Sequence, residues 1–329
     1  MAKAVLFDRL GGPEVFRVAE VEVGAPGPEE VLVRVAVIGL NRAEALFRDG
    51  GYYYQPEFPD SRIGMEAAGV VERVGPAVTR FAPGDRVVST VSGHMSRVGV
   101  YGDLVLMPQE ALEPIPDGVD EATAAASWLS YGTAYGALVE HAQLRAGDHV
   151  VITAASSSVG VAAIQVANHL GAVPIAVTRT ADKRAELLKL GAAQVVVSEE
   201  EPVAERVREL TGGAGAELVF DAVGGPQLPE LAQAVADGGL LVVYGWLDRR
   251  PPLLPLNWSI RILGYAYGAL ARDPAFRRRQ RYFLAAGLRA GTLAPVVDRT
   301  FRGLAETAAA HAYLEGNGQI GKVLVTVED

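Results

Sequence analysis

The stretch "TAASSSVG", residues 153–160, has the residue types of an anion-binding loop. It follows the apolar run His149–Ile152 and opens onto "VGVAAIQVANHL", whose apolar residues recur at helical spacing. A turn of small residues between a strand and a helix start offers free backbone N–H groups and the positive end of a helix dipole, which together suit a pyrophosphate. In the G-x-G-x-x-G pattern the glycines allow a tight turn, close approach to phosphate and close packing of helix on strand. Here Ser157 stands at the close-approach position and Gly160 at the packing position, with Ser158 and Val159 between them. A serine Cβ intrudes modestly, while its hydroxyl can donate to a phosphate oxygen. Taken alone, the stretch also reads as a plain loop with a serine N-cap.

About twenty residues past the loop, an NAD site places Asp or Glu on the ribose hydroxyls. That place reads "TRTADKR" here. Thr178, Arg179, Lys183 and Arg184 would pair with a 2′-phosphate, so NADPH is the expected cofactor; a basic first helical turn making surface ion pairs is the plainer alternative. Tyr244 and Gly245 end a later apolar run, where open α/β sheets bind ligands.

These residues need a scaffold, and the chain supplies two kinds. Up to about Pro116 it reads as short strands cut by Gly and Pro: "KAVLFDRL", "FRVAEVEV", "EEVLVRVAVIGL", "GVVERVG", "DRVVSTV" and "GDLVLMP". From about Asp120, helical patterns alternate with the apolar runs "HVVIT", "AVPIAVT", "AQVVVS", "AELVFDAV" and "GLLVVYG". Near-continuous apolar strands at βαβ spacing belong to a parallel sheet covered on both faces. The fold class is therefore α/β, a β-rich unit plus a doubly wound parallel sheet. A helix "AFRRRQRYFLAAGLRAG", a strand "APVVDRTF", a helix "GLAETAAAHAYLEG" and a strand "GKVLVTV" follow, and either extend that sheet or return to the first unit.

Composition narrows the partners. A net charge of −9 lacks the basic footprint of nucleic-acid binding. The "FRRRQR" run would spread its arginines around a helix and reads as a solvated face. With 0 cysteines, disulfides, thiol catalysis and cysteine-based zinc sites are excluded, and the 5 histidines include no His-x-x-x-His pair, so no metal is expected. No signal-peptide pattern opens the chain and no segment offers about twenty uninterrupted apolar residues, so a cytoplasmic protein without a membrane span is expected.

The chain resembles the medium-chain dehydrogenase/reductase superfamily in its zinc-free, quinone oxidoreductase and zeta-crystallin-like branch. The resemblance covers nearly the whole length. It rests on "GLNRAEALFRDGGYY", "IGMEAAGVVERVG", "GVYGDLVLMP", "WLSYGTAYGAL", the phosphate loop with "TRTADKRAELLKLGA", "VFDAVGG" and "IGKVLVTV". It implies a GroES-like substrate domain built from residues 1–122 and 267–329, a Rossmann dinucleotide-binding domain over 123–266, and an active site in the cleft between them. Zinc-dependent members carry Gly-His-Glu where this chain has Gly64-Met65-Glu66, and a thioether does not replace imidazole as a zinc ligand. Glu66 is then left for packing and hydrogen bonding. Two serines, Ser157 and Ser158, stand where the branch usually has glycines.

Without a Lewis acid the implied substrates are quinones and α,β-unsaturated carbonyls, in which hydride adds to a conjugated position and charge spreads onto oxygen. The resemblance assigns Asn41 and Tyr52 to the active site, with Tyr53 and Tyr54 as alternatives to Tyr52. It assigns Thr133 to the cofactor near the nicotinamide and Gln319 to a place often held by a cofactor-binding Asn. Trp128 and Tyr131 either line the cleft or pack in a core. A homodimer is expected, with "RILGYAYGAL" as an apolar edge segment. The rival functions are an NADPH-binding, crystallin-like protein without turnover and, further off, a zinc alcohol dehydrogenase.

Overall fold

The computed structural model describes residues 1–90, 93–257 and 259–328. Its contacts divide the chain into two units, one of residues 1–129 and 295–329, the other of residues 130–294.

In the first unit the ten-residue strand Glu30–Gly39 is the organiser. Its residues Glu30–Arg34 pair with Leu104–Pro108, nearly its full length pairs with Ala67–Val74, and its end pairs with Lys322–Thr326. All three pairings are antiparallel. The sheet continues through Arg86–Ser89 to Leu112–Pro114 on one side and to Val297–Arg302 on the other. Val31, Val33 and Val35 alternate inward, Ile38 follows them past a register shift between Val35 and Val37, and they join Val71, Val87, Val105 and Val323 in one core. The C-terminal segment thus returns to the first unit. Val91 of "DRVVSTV" lies outside the described residues. A helix, Arg42–Arg48, lies among the strands. At seven residues it is too short for its periodicity to stand out.

In the second unit six strands pair in parallel, in the order Gln194–Val197, Val173–Thr178, His149–Ile152, Ala216–Asp221, Val235–Val243, Arg261–Gly264. This 3-2-1-4-5-6 order is the Rossmann topology. It reverses direction between the first and fourth strands, so the turn after Ile152 sits at the switch point where such sheets bind ligands. Two details depart from the sequence reading. The helical pattern between "AELVFDAV" and "GLLVVYG" yields a helix of only Leu228–Ala232, because Val235 already pairs with Ala216. The cuts expected at 122/123 and 266/267 fall instead at 129/130 and 294/295, the second because the helix Pro274–Ala290 stays with the second unit. There Phe276 and Phe283 pack on Tyr135, Arg279 pairs with Glu140, and Gln280 bonds Tyr267.

Among the described residues no helix is long and apolar enough to cross a membrane.

Candidate active site and cofactor loop

Strand register carries the two ends of the chain to one point in the first unit. Leu324 pairs with Gly39 and the Leu40 N–H donates to Val323 O, so Lys322 arrives beside Asn41. Gly39 is required there, because a Cβ would lie 2.0 Å from Ala125 O and 2.9 Å from the Lys322 side chain. Asn41 caps the helix Arg42–Arg48, and Glu44, three residues on, reaches back to accept from the Asn41 N–H at 2.7 Å. The Lys322 ammonium donates to Asn41 Oδ1 at 2.7 Å. Lysine has only donors, so this contact fixes which end of the Asn41 amide is oxygen. The amide nitrogen donates to Gly39 O at 3.0 Å and, at a longer 3.4 Å, to Glu44 Oε1.

Lys322 also pairs with Glu66, and both are within 1 % of complete burial. The Leu129 N–H completes the Glu66 shell at 2.7 Å. Burial pushes the Glu66 carboxyl above its ordinary value, while the Lys322 charge and the Leu129 amide pull it back down. Tyr52 is half-buried against Phe47, Tyr53 and Tyr54. Burial raises its phenol far above the ordinary range and moves that of Tyr54 to about 12, so both stay protonated donors at neutral pH. Gln319 is buried in the same unit, in the turn before the last strand.

The second unit shapes the phosphate loop. Ala154 takes the left-handed conformation, φ 46°, at the tight turn where a glycine would be unstrained. Ser157 caps the helix Ser158–His169, its Oγ accepting from the Gly160 N–H at 3.0 Å. The serine is thus an N-cap, and its own O–H proton still has a direction in which to donate. Gly160 packs against the turn, where a Cβ would lie 2.5 Å from Ala155 O. Val159 follows Ser158 in the first turn of the helix.

Asp221 braces the switch point. It accepts from the Thr153 hydroxyl at 2.6 Å and from the Val223 and Gly224 N–H groups, and burial raises its carboxyl. Tyr244 stacks on Phe220 at 4.1 Å, and its buried hydroxyl, beside Ser157 and Asp221, has no hydrogen-bond partner of normal geometry. A Cβ on Gly245 would lie 2.7 Å from Ala222 O. Lys183 donates to Ser156 Oγ at 3.1 Å, which brings its ammonium to the loop. Thr178 ends its strand buried, Arg179 is exposed next to it, and the Asp182 carboxylate is taken by the Thr180 hydroxyl. An unpartnered buried hydroxyl, a serine O–H and a lysine at one helix N-terminus fit a phosphorylated ligand. Thr133 is buried in the last turn of the helix Glu121–Tyr135, whose residues 130–135 belong to this unit; Tyr131 is a core residue here, its hydroxyl donating to Gln165, and Trp128 is a core residue in the first unit's part of the helix.

Known proteins resemble this chain in sequence and fold. A family profile described as "Alcohol dehydrogenase GroES-like domain" matches residues 27–117, and one described as "Zinc-binding dehydrogenase" matches residues 158–277. A quinone oxidoreductase of Pseudomonas aeruginosa is 33% identical over 99% of both chains. A 2-haloacrylate reductase of Burkholderia is 32% identical over the same shares. The structure of Escherichia coli quinone oxidoreductase complexed with NADPH superposes with a TM-score of 0.90 at 27% identity, covering 99% of this chain and 100% of that one. The chain belongs to the zinc-free quinone oxidoreductase branch of the medium-chain dehydrogenase/reductase superfamily.

Within this oxidoreductase branch the first unit is the GroES-like domain and the second the Rossmann domain. The donor chemistry agrees with the branch: Met65 stands in the zinc-ligand motif, the chain has 0 cysteines, and among the described residues no three His, Asp or Glu side chains converge. The structure groups Ser157, Ser158, Gly160, Lys183 and Tyr244 around one turn, and groups Asn41 with three residues the sequence reading passed over: Glu44, Lys322 and, through Glu44, Tyr101. One signal for the Lys322–Glu66 pair was present. Each is a lone charge inside an apolar strand-like run, "IGKVLVTV" and "IGMEAAGVV", and opposite buried charges need each other.

Proposed function

We propose that this oxidoreductase reduces quinones or α,β-unsaturated carbonyls with NADPH and without zinc. The observation that carries the reading is the Lys183 ammonium held on Ser156 of the phosphate loop, next to a strand end whose Asp182 is already bonded to Thr180. A cation there favours the 2′-phosphate of NADPH over the bare ribose of NADH. Thr178 and Arg179 at the strand end, Ser157, Ser158, Val159, Tyr244, Gly245, Thr133 and Gln319 complete the proposed cofactor contacts. The NADPH complex of the E. coli relative supports the same choice.

NADPH, when bound, supplies the hydride. Asn41 and Tyr52 hold the substrate carbonyl. Lys322 polarises the Asn41 amide through Oδ1, and the amide hydrogen on the Glu44 side, whose 3.4 Å contact is long, is the one a carbonyl oxygen can capture. Tyr52, kept neutral by burial, donates a second bond. As hydride arrives, negative charge grows on the oxygen and both donors strengthen. Hydride adds two electrons and one hydrogen, and solvent supplies the proton that completes the hydroquinone or saturated carbonyl.

The test is a titration with NADPH and NADH followed by a panel of quinones and enones. NADPH is expected to bind at least about tenfold more tightly, the worth of one charge-assisted contact, and to be oxidised by members of the panel. NADPH bound but oxidised by none would sink the reductase reading in favour of a binding protein without turnover.

The protein is further expected to be a homodimer. The strand Arg261–Gly264 pairs with Val235–Val243 on one side and ends the sheet on the other. Ile262 on it and the nearby Leu253, Leu254 and Leu256 are exposed, Leu254 by 76%. A bare edge with apolar side chains invites pairing across a two-fold axis. Light scattering should give twice the chain mass, and Ile262→Lys should halve it; a monomeric wild type would end this assignment.

A further inference from the structure

Glu44 lies at the inner end of a buried hydrogen-bond chain whose direction is set by chemistry. Arg48 has only donors, so its 3.1 Å contact with His311 Nδ1 makes that nitrogen the acceptor. Burial and the guanidiniums of Arg48 and Arg42 hold the His311 ring down at about 3, so it is neutral at physiological pH. Its single ring proton is then on Nε2, which donates to the Tyr101 hydroxyl at 3.2 Å. Tyr101 donates in turn to Glu44 Oε2 at 2.6 Å. The outer end is anchored where Arg48 donates to Gly11 O and to the Glu315 carboxylate, each at 3.0 Å.

Glu44 spreads this order to both segments that carry the site. Its carboxylate accepts from Asn41 N on one side and from Met65 N, at 2.8 Å, on the other. The Tyr101 ring reinforces the second contact by filling the space over Gly64, where a Cβ would lie 2.2 Å from the ring. Every proton of the chain points inward, and the first donor is a guanidinium, which does not release a proton at neutral pH. The chain is therefore a brace and not a proton path.

We propose that His311, as its neutral Nε2–H tautomer, is a positioning residue for carbonyl reduction: it aims the Tyr101 hydroxyl at Glu44, and Glu44 holds Asn41 and the 64–66 turn in register. This rests on the reading of Asn41 as a carbonyl-binding group. Glutamine can copy the arrangement, with an amide oxygen toward Arg48 and an N–H toward Tyr101, whereas leucine offers neither.

The experiment compares His311→Gln and His311→Leu in the full-length protein, with a reducible quinone and NADPH. His311→Leu is expected to lower kcat about tenfold or more at little change in KM, with the NADPH Kd within about twofold of wild type. His311→Gln is expected to restore kcat to within about threefold, a rescue that mere cavity filling would not give. A folded His311→Leu with wild-type kcat, or a Gln variant as impaired as the Leu variant, overturns the proposal. Nitrogen-15 NMR of the wild-type ring at pH 7 reads the brace apart from turnover. An Nδ1–H tautomer or an imidazolium overturns it even in an active enzyme. The expected tautomer in a protein that reduces no acceptor removes the functional reading, and the positioning role with it, while leaving the brace.

Discussion

Lys322→Met should destabilise the protein by about 3–5 kcal/mol near neutral pH, because it strands one half of a fully buried ion pair. Methionine keeps most of the volume and removes the charge. Glu66 would keep the Leu129 N–H but lose the cation that most strongly offsets its burial. Its carboxyl, already above the ordinary value of 4.5, would rise further. An acid whose folded-state value is raised keeps a proton that the unfolded chain has released, so stability falls as pH rises from 4.5 toward that value. The deficit against wild type should therefore be small near pH 5 and grow toward pH 8, by about 1.4 kcal/mol for each unit of further rise. Asn41 Oδ1 also loses its Lys322 donor, so on the proposed role of Asn41 turnover should fall by at least about tenfold. Thermal denaturation across this pH range checks the sign. Adding Glu66→Leu should recover much of the lost stability, since replacing both members of a buried pair by apolar groups is often neutral. A variant as stable as wild type at pH 8 would mean that the pair contributes nothing.

Gly160→Val should abolish useful cofactor binding. Its Cβ would meet Ala155 O at 2.5 Å and Ala155 Cα at 2.6 Å, both backbone atoms that cannot rotate aside. The helix Ser158–His169 would have to lift from the turn, breaking the Ser157–Gly160 cap. Overpacking of this kind costs about 1–3 kcal/mol of stability. On the proposed placement of phosphate at this helix N-terminus the larger effect falls on the ligand: loss of two charge-assisted bonds, at about 1.5 kcal/mol each, would weaken binding about 100-fold. Titration by nucleotide fluorescence measures this directly. An unchanged Kd would show that phosphate is held elsewhere than at this helix N-terminus.

The two sites differ in how far they could be read in advance. The strand, turn and helix around residues 153–160 were legible because their parts are adjacent in the chain. A strand, a turn and a helix start within a dozen residues carry their own geometry, and Gly160 falls where helix must meet turn. Even there the sequence left two readings of Ser157; the structure shows the cap, with Oγ accepting from the Gly160 N–H, and the phosphate contact belongs to the proposed function. Lys183 was legible by its spacing, its contact with Ser156 was not. In the first unit, Asn41 and Tyr52 were reached only through resemblance. Glu44 drew no reading, Glu66 was left for packing and hydrogen bonding without a named partner, and His311 was one of the 5 histidines that form no His-x-x-x-His pair. The helix Pro274–Ala290 was assigned to the wrong unit, since an amphipathic pattern shows that a face is buried but not against what.

What the sequence determined by itself is whatever local sterics and periodicity encode: β-rich grammar before Asp120, alternating strands and helices after it, and a loop fit for phosphate. Which distant side chains meet was decided by the tertiary structure. Lys322 lies 281 residues from Asn41, and His311 lies 210 from Tyr101. They come together because Lys322–Thr326 takes one register against the end of Glu30–Gly39, a choice made by two apolar faces closing over a common core and by the need of each buried charge for a partner. No window of neighbouring residues contains that information, because the energy that selects it exists only once both ends of the chain are in place.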